Sequence, residues 1–138
     1  MKKIISLLVL ALLINSCSSK KSVLSTVDVK KYINSITSEE LKTHLTIVAS
    51  DEMEGRETGS PGQKKAGRYL ISQYEKNGVS FPKGAKDYYQ PIPAAYLNKE
   101  YNENLPDSEN IWAFIEGSER PEEVIVVSAH YDHIGINK

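Results

Sequence analysis

The sequence predicts an α/β protein in which helices flank a sheet, and three observations carry that expectation. Residues 124–129 (VIVVSA) form a nearly unbroken apolar, β-branched run without polar alternation, the pattern of a strand buried on both faces of a sheet. Residues 110–116 (NIWAFIE) are a second segment rich in β-formers, and a turn over residues 117–121 would make the two strands neighbours. Upstream, two segments combine helix-start signals with apolar residues at helical spacing.

The first helix is predicted to begin at Thr37, which with Glu40 three residues on forms a capping box satisfying two orphan backbone N–H groups. Leu41, Leu45 and Val48 then share one face, and His44 reads as a surface or packing residue because no ligand-type partner lies at helical spacing from it. The second helix, residues 60–77, has Ser60 as N-cap, Pro61 at the first helical position and Gln63 completing another capping box. Ala66, Tyr69, Leu70 and Tyr74 line one face, and Gly78 is placed to end the helix in a left-handed conformation. Between the helices, residues 49–59 carry four carboxylates, but oxygen ligands do not alternate before a glycine as a calcium loop requires. A turn-rich connection with Arg56 paired to a local acid is expected instead. Residues 87–93 hold Pro91 and Pro93, which cannot donate to a ladder, so they form at most an edge strand, and residues 98–109 read as a polar loop.

The N-terminus sets the compartment. Lys2 and Lys3 precede an apolar run over residues 4–14, too short for the ~20 residues of a spanning helix and suited to a cleaved export signal. Ile14-Asn15-Ser16-Cys17 resembles a bacterial lipobox, which implies cleavage before Cys17, lipidation of its thiol and anchoring to a membrane by several acyl chains. An ordinary secretory signal with an incidental cysteine is the alternative. The expected organisation is a signal peptide over residues 1–16, a lipidated cysteine and polar tether over 17–36, and a domain over 37–138, placed in the envelope of a Gram-negative bacterium on the periplasmic side or outer membrane. Loss of Lys2 and Lys3 takes the formal charge from -1 to -3, which gives no electrostatic case for nucleic acid as a partner. Cys17 is the single cysteine, so no intrachain disulfide can form.

The buried-type strand runs straight into His130-Tyr131-Asp132-His133. Side chains alternate along a strand, so His130 and Asp132 would point the same way, ~6–7 Å apart along the backbone. A carboxylate so placed can reach one ring nitrogen of His130 while the other faces a metal, fixing the tautomer and raising ligand basicity. On spacing alone, a polar strand end with a hydrogen-bonded histidine fits equally well. His133 is out of phase with His130 and reads as a loop residue.

Three landmarks occur in order: ASDEMEGRETGSPG over residues 49–62, NIWAFIEG over 110–117 and VIVVSAHYDHIG over 124–135. Together they resemble metallopeptidase family 28, the co-catalytic zinc aminopeptidases. The resemblance implies a mixed, mostly parallel sheet flanked by helices, peptide substrates, and two zinc ions about 3.5–4 Å apart sharing a water that attacks the peptide. It also implies His130 as a zinc ligand and Asp132 as the acid that orients it. The family's remaining carboxylate ligands, general base and final histidine would fall beyond residue 138, so an incomplete domain, inactive alone, is expected. Two further functions fit the same resemblance: glutaminyl cyclisation with a single zinc, and a non-catalytic lipoprotein binding domain.

Overall fold

A computed structural model describes residues 26–101 and 104–136. The expected signal peptide, Cys17 and the first part of the tether lie outside the described residues. Two units are distinguished, Met1–Ser38 and Glu39–Lys138. In the first, helix α1 (Thr26–Ile33) occupies part of the stretch expected to be tether. Its end is closed by Asn34 N–H donating to Lys30 O at 2.9 Å and by the Ser35 hydroxyl donating to Tyr32 O at 2.7 Å.

All but the first residue of α2 (Ser38–Val48) belongs to the second unit; the helix starts close to the predicted point, but its apolar face stays open, with Leu41 and Leu45 both exposed. A 3₁₀ turn (Asp51–Arg56) follows, then α3 (Pro61–Lys76). Both ends of α3 form by the local rules its sequence carries. The Ser60 hydroxyl accepts from Gln63 N–H at 3.2 Å and Pro61 occupies the first turn. The Gln63 side chain reaches Gly59 N–H, one residue earlier than the expected box, because Ser60 N–H already donates to Glu57 O at 2.9 Å. At the other end Gly78 stands at φ 68, Gly78 N–H bonds Glu75 O at 3.0 Å, and Val79 N–H bonds Tyr74 O at 2.9 Å. Those two bonds are the paired closure of a left-handed helix end.

The mixed, mostly parallel sheet expected from the sequence is corrected by the structure. The sheet is two-stranded and antiparallel, β1 (Tyr89–Ile92) against β2 (Ser108–Ile111), with Tyr89 opposite Ile111 and Ile92 opposite Ser108. Only residues 110 and 111 of the expected strand 110–116 belong to a strand. Past Ile111 the backbone bonds go backward along the chain, Trp112 N–H to Tyr88 O at 3.0 Å and Phe114 N–H to Ser80 O at 2.8 Å. Residues 124–129 are neither strand nor helix, and no ladder joins them to 110–116 among the described residues. An apolar run states a preference for burial and does not name a partner strand; the N–H groups of residues 112 and 114 bond residues 88 and 80 on one edge. Ile125 and Val127 are 91% and 93% exposed, a contiguous apolar surface of the kind that marks association.

Residues 98–109, expected as a polar loop, contain the second half of a fourth helix, α4 (Ala94–Tyr101). Ala94 N–H donates to the Asp107 carboxylate at 2.7 Å, and Asn98 clips the returning chain by accepting from Leu105 N–H at 2.6 Å and donating to Leu105 O at 3.0 Å. The apolar core among the described residues is small, Met53, Ala66 and Leu97, with Gln63, Ser108 and Glu109 buried beside it. The buried polar groups are satisfied: Ser108 donates to Gln63 Oε1 at 2.9 Å, and Lys64 pairs with Glu109 while also donating to Asp107 O at 3.0 Å.

Candidate functional site

Two of the three landmarks, residues 49–62 and 124–135, do not remain apart. The 3₁₀ turn carries three successive residues in left-handed backbone, Glu54 at φ 51, Gly55 at φ 63 and Arg56 at φ 51. Such a run costs roughly 1–2 kcal/mol for each non-glycine residue, so it persists only where other contacts enforce it. Those contacts come largely from the far end of the chain. His133 N–H donates to Arg56 O at 2.7 Å and Gly135 N–H to Gly55 O at 3.0 Å. Glu57 and His133 form an isolated parallel bridge. Gly55 has no room for a side chain there, since a Cβ would lie 2.2 Å from Gly135 O.

Arg56 does not pair with a local acid as expected. Its guanidinium donates to two backbone carbonyls, Tyr131 O at 2.8 Å and Val48 O at the end of α2. Each charge-assisted bond of this sort is worth about 1.5–3 kcal/mol, enough to offset much of the left-handed strain. Lys65, on α3, ties the other side of the turn by pairing with Glu54 at 2.6 Å and donating to Glu52 O at 2.9 Å.

His130 and Asp132 lie at the edge of this seam. The Nδ1 atom of His130 is 3.0 Å from Asp132 O and 3.4 Å from Asp132 Oδ1, so the backbone carbonyl is the nearer partner and the carboxylate the second. Both oxygens can only accept, which puts the proton on Nδ1 and leaves Nε2 free. The other carboxylate oxygen, Oδ2, accepts from the Thr58 hydroxyl at 2.5 Å. The His130 side chain is 83% exposed, while Asp132 is half-buried at 33%. His133 is exposed and holds its place through the backbone, in keeping with a loop residue. His44 packs on α3, its Nδ1 2.6 Å from the Tyr69 hydroxyl.

Among the described residues no group of three or more His, Cys, Asp or Glu side chains could hold a metal ion. A catalytic zinc takes about three protein ligands and a water. The pair therefore fits one ligand position, His130 Nε2 with an acid behind it, and not a whole zinc centre. The spacing of His130 and Asp132 is visible in the sequence, whereas the contacts of Thr58 with Asp132 and of Arg56 with the Tyr131 carbonyl are not. The only signal for those two is the Gly-Arg-Glu-Thr stretch in the upstream landmark, whose partners are 74 and 75 residues away.

Tyr131, between the pair, points back into the protein and donates its hydroxyl to Glu109 O at 2.9 Å. Burial, with the Glu109 and Asp132 carboxylates nearby, pushes its phenol well above the ordinary tyrosine range. The neutral phenol is thus favoured by folding. Its stabilising effect is complete below the unfolded-state value of about 10 and is lost as pH rises above that toward the folded-state value. Chemical denaturation at pH 9, 10 and 11 should show the wild type losing stability more steeply than Tyr131→Phe over this window. Parallel slopes for the two proteins would show that the phenol stays solvated.

Comparison with protein-family models, curated proteins and solved structures finds no match to this chain. Among the described residues no helix is long and apolar enough to cross a membrane.

Proposed function

We propose that this chain contributes the His130–Asp132 pair to a zinc-dependent exopeptidase that removes N-terminal residues from peptides, held in the cell envelope by a lipid anchor at Cys17. One observation supports this above the others. Two of the landmarks that resemble the zinc aminopeptidases meet through four hydrogen bonds: Arg56 to Tyr131, Thr58 to Asp132, His133 to Arg56 and Gly135 to Gly55. Of the four, the bond from Thr58 to Asp132 joins two side chains at a half-buried seam, and a ligand histidine needs its backing acid held in this way. The two-stranded antiparallel sheet lends the proposal nothing, and the remaining metal ligands must come from outside the described residues.

Activity tests it directly. The 138-residue chain alone should release nothing from an aminoacyl anilide with or without zinc, because one imidazole cannot hold a catalytic metal. Joined to the C-terminal part of a zinc aminopeptidase, it should gain chelator-sensitive release of N-terminal residues. Turnover by the chain alone that a chelator abolishes would sink this account of the ligands.

The anchor has its own test. Expressed with its signal in a Gram-negative host, the protein should partition into detergent carrying an acylated Cys17, and Cys17→Ser should lose both properties. A Cys17→Ser protein of the same processed mass and partition would show that the cysteine is incidental.

A further inference from the structure

Asp132 has two carboxylate oxygens, and the structure commits each to a different neighbour. Oδ2 takes the Thr58 hydroxyl at 2.5 Å, and Oδ1 lies 3.4 Å from His130 Nδ1. We infer that Thr58 is the positioning residue of the His130–Asp132 pair: its hydroxyl holds the carboxylate by one oxygen, so that the other, together with the Asp132 carbonyl, keeps the imidazole proton on Nδ1 and presents Nε2 outward. The inference concerns the tautomer of His130, and it deepens the proposed function by supplying what holds the ligand in its metal-ready form.

The direction of every bond follows from the groups themselves. A carboxylate can only accept from a hydroxyl, so Thr58 donates. The Asp132 carbonyl can only accept from Nδ1, so His130 donates there, the carboxylate oxygen 3.4 Å away favours the same proton position, and the neutral ring keeps its lone pair on Nε2. Among the described residues the Asp132 carboxylate, one-third exposed, has Thr58 as its hydrogen-bond partner and the 83% exposed imidazole of His130 as its ion-pair neighbour. Thr58 can act as the fixed point because its own backbone is immobilised on both sides. Glu57 is bridged to His133, and Ser60 is the cap of α3. The hydroxyl thus belongs to the upstream landmark and the acid to the downstream one.

The test reads the ring and not the reaction. The full chain labelled with ¹⁵N at histidine has three imidazoles, His44, His130 and His133, and the His130 signals are those missing from His130→Ala. Wild type should show the Nδ1–H form as the dominant neutral tautomer of His130. Thr58→Val, which keeps the shape and removes the hydroxyl, should lower the ratio of Nδ1–H to Nε2–H by about threefold. That is less than the 10–100-fold effect on metal affinity known for groups that bond a ligand directly, since Thr58 acts one bond further away. Thr58→Ser, which returns the hydroxyl, should restore the wild-type ratio, and unchanged His44 signals should report that the fold is kept. A ratio in Thr58→Val equal to that of wild type overturns the inference, and so does a Thr58→Ser protein that behaves like Thr58→Val. The proposed function fails separately. A threonine-dependent tautomer in a chain that gains no zinc-dependent activity when completed leaves Thr58 as the positioning residue and removes the exopeptidase. A zinc-dependent completed enzyme with an indifferent tautomer does the reverse.

Discussion

His130→Ala should abolish zinc-dependent release of N-terminal residues by the completed enzyme, while Asp132→Asn should reduce it by about 10–100-fold. The two differ because they remove different things. Alanine at position 130 deletes a donor from a site that has only about three from protein, and a catalytic zinc does not survive that loss. Asparagine at 132 keeps the shape and the backbone carbonyl, which at 3.0 Å is the nearer partner of Nδ1. It removes the negative charge that raises the basicity of the ring, and it turns the oxygen that takes the Thr58 hydroxyl into part of a neutral amide. The measurements are hydrolysis of a leucine anilide, a chelator control and the zinc content of each purified variant. A His130→Ala enzyme with the activity and zinc of its parent would remove the chemical basis of the proposal.

Gly62→Ala should lower the stability of the chain by about 2–3 kcal/mol, although alanine is the better helix former by nearly 1 kcal/mol. Gly62 sits in the first turn of α3 where that helix crosses the 3₁₀ turn. A Cβ there would lie 2.1 Å from Met53 O, 2.8 Å from Met53 C and 2.9 Å from Glu54 Cβ. Two of the three obstacles are main chain, so no rotamer change relieves them, and the helix end must lift away from Met53, one of the few buried apolar side chains. The movement would also strain the left-handed residues that follow Met53. Gly117→Ala is the control, because its nearest neighbour is Arg120 O at 3.8 Å. Urea unfolding of both variants checks the pair. Equal midpoints would mean that α3 and the turn are not packed together as described.

What could be read from the sequence was what is decided locally. The cap at Ser60, the proline behind it and the left-handed stop at Gly78 depend on groups within five residues of one another, and each was legible. Helix α4 was not, because its first N–H is satisfied by Asp107, 13 residues on, and its polar face looks like loop. Residues 124–129 misled for the opposite reason. Their composition is that of a buried strand, but composition carries no information about which strand, if any, lies alongside to pair with. At the candidate site, the spacing of His130 and Asp132 was visible as a pattern of period two. Thr58 and Arg56 were invisible as their supports, since no periodicity links residues 74 or 75 positions apart.

The left-handed turn has a consequence for the order in which the molecule can be made. Arg56 leaves the ribosome 75 residues ahead of the carbonyl it bonds at Tyr131. At 5–20 residues per second, that interval is roughly 4–15 s. Throughout it, Glu54 and Arg56 would meet the cost of left-handed backbone without the bonds from His133 and Gly135 that offset it. The nascent turn therefore samples other conformations while α3, whose caps are local, is already free to form. Closing so long a loop carries an entropic cost that grows only with the logarithm of its length, so the delay is set by synthesis and not by diffusion of the ends. The seam beneath His130 can close only after residues 131–135 have been made, whereas the caps of α3 need nothing beyond residue 79.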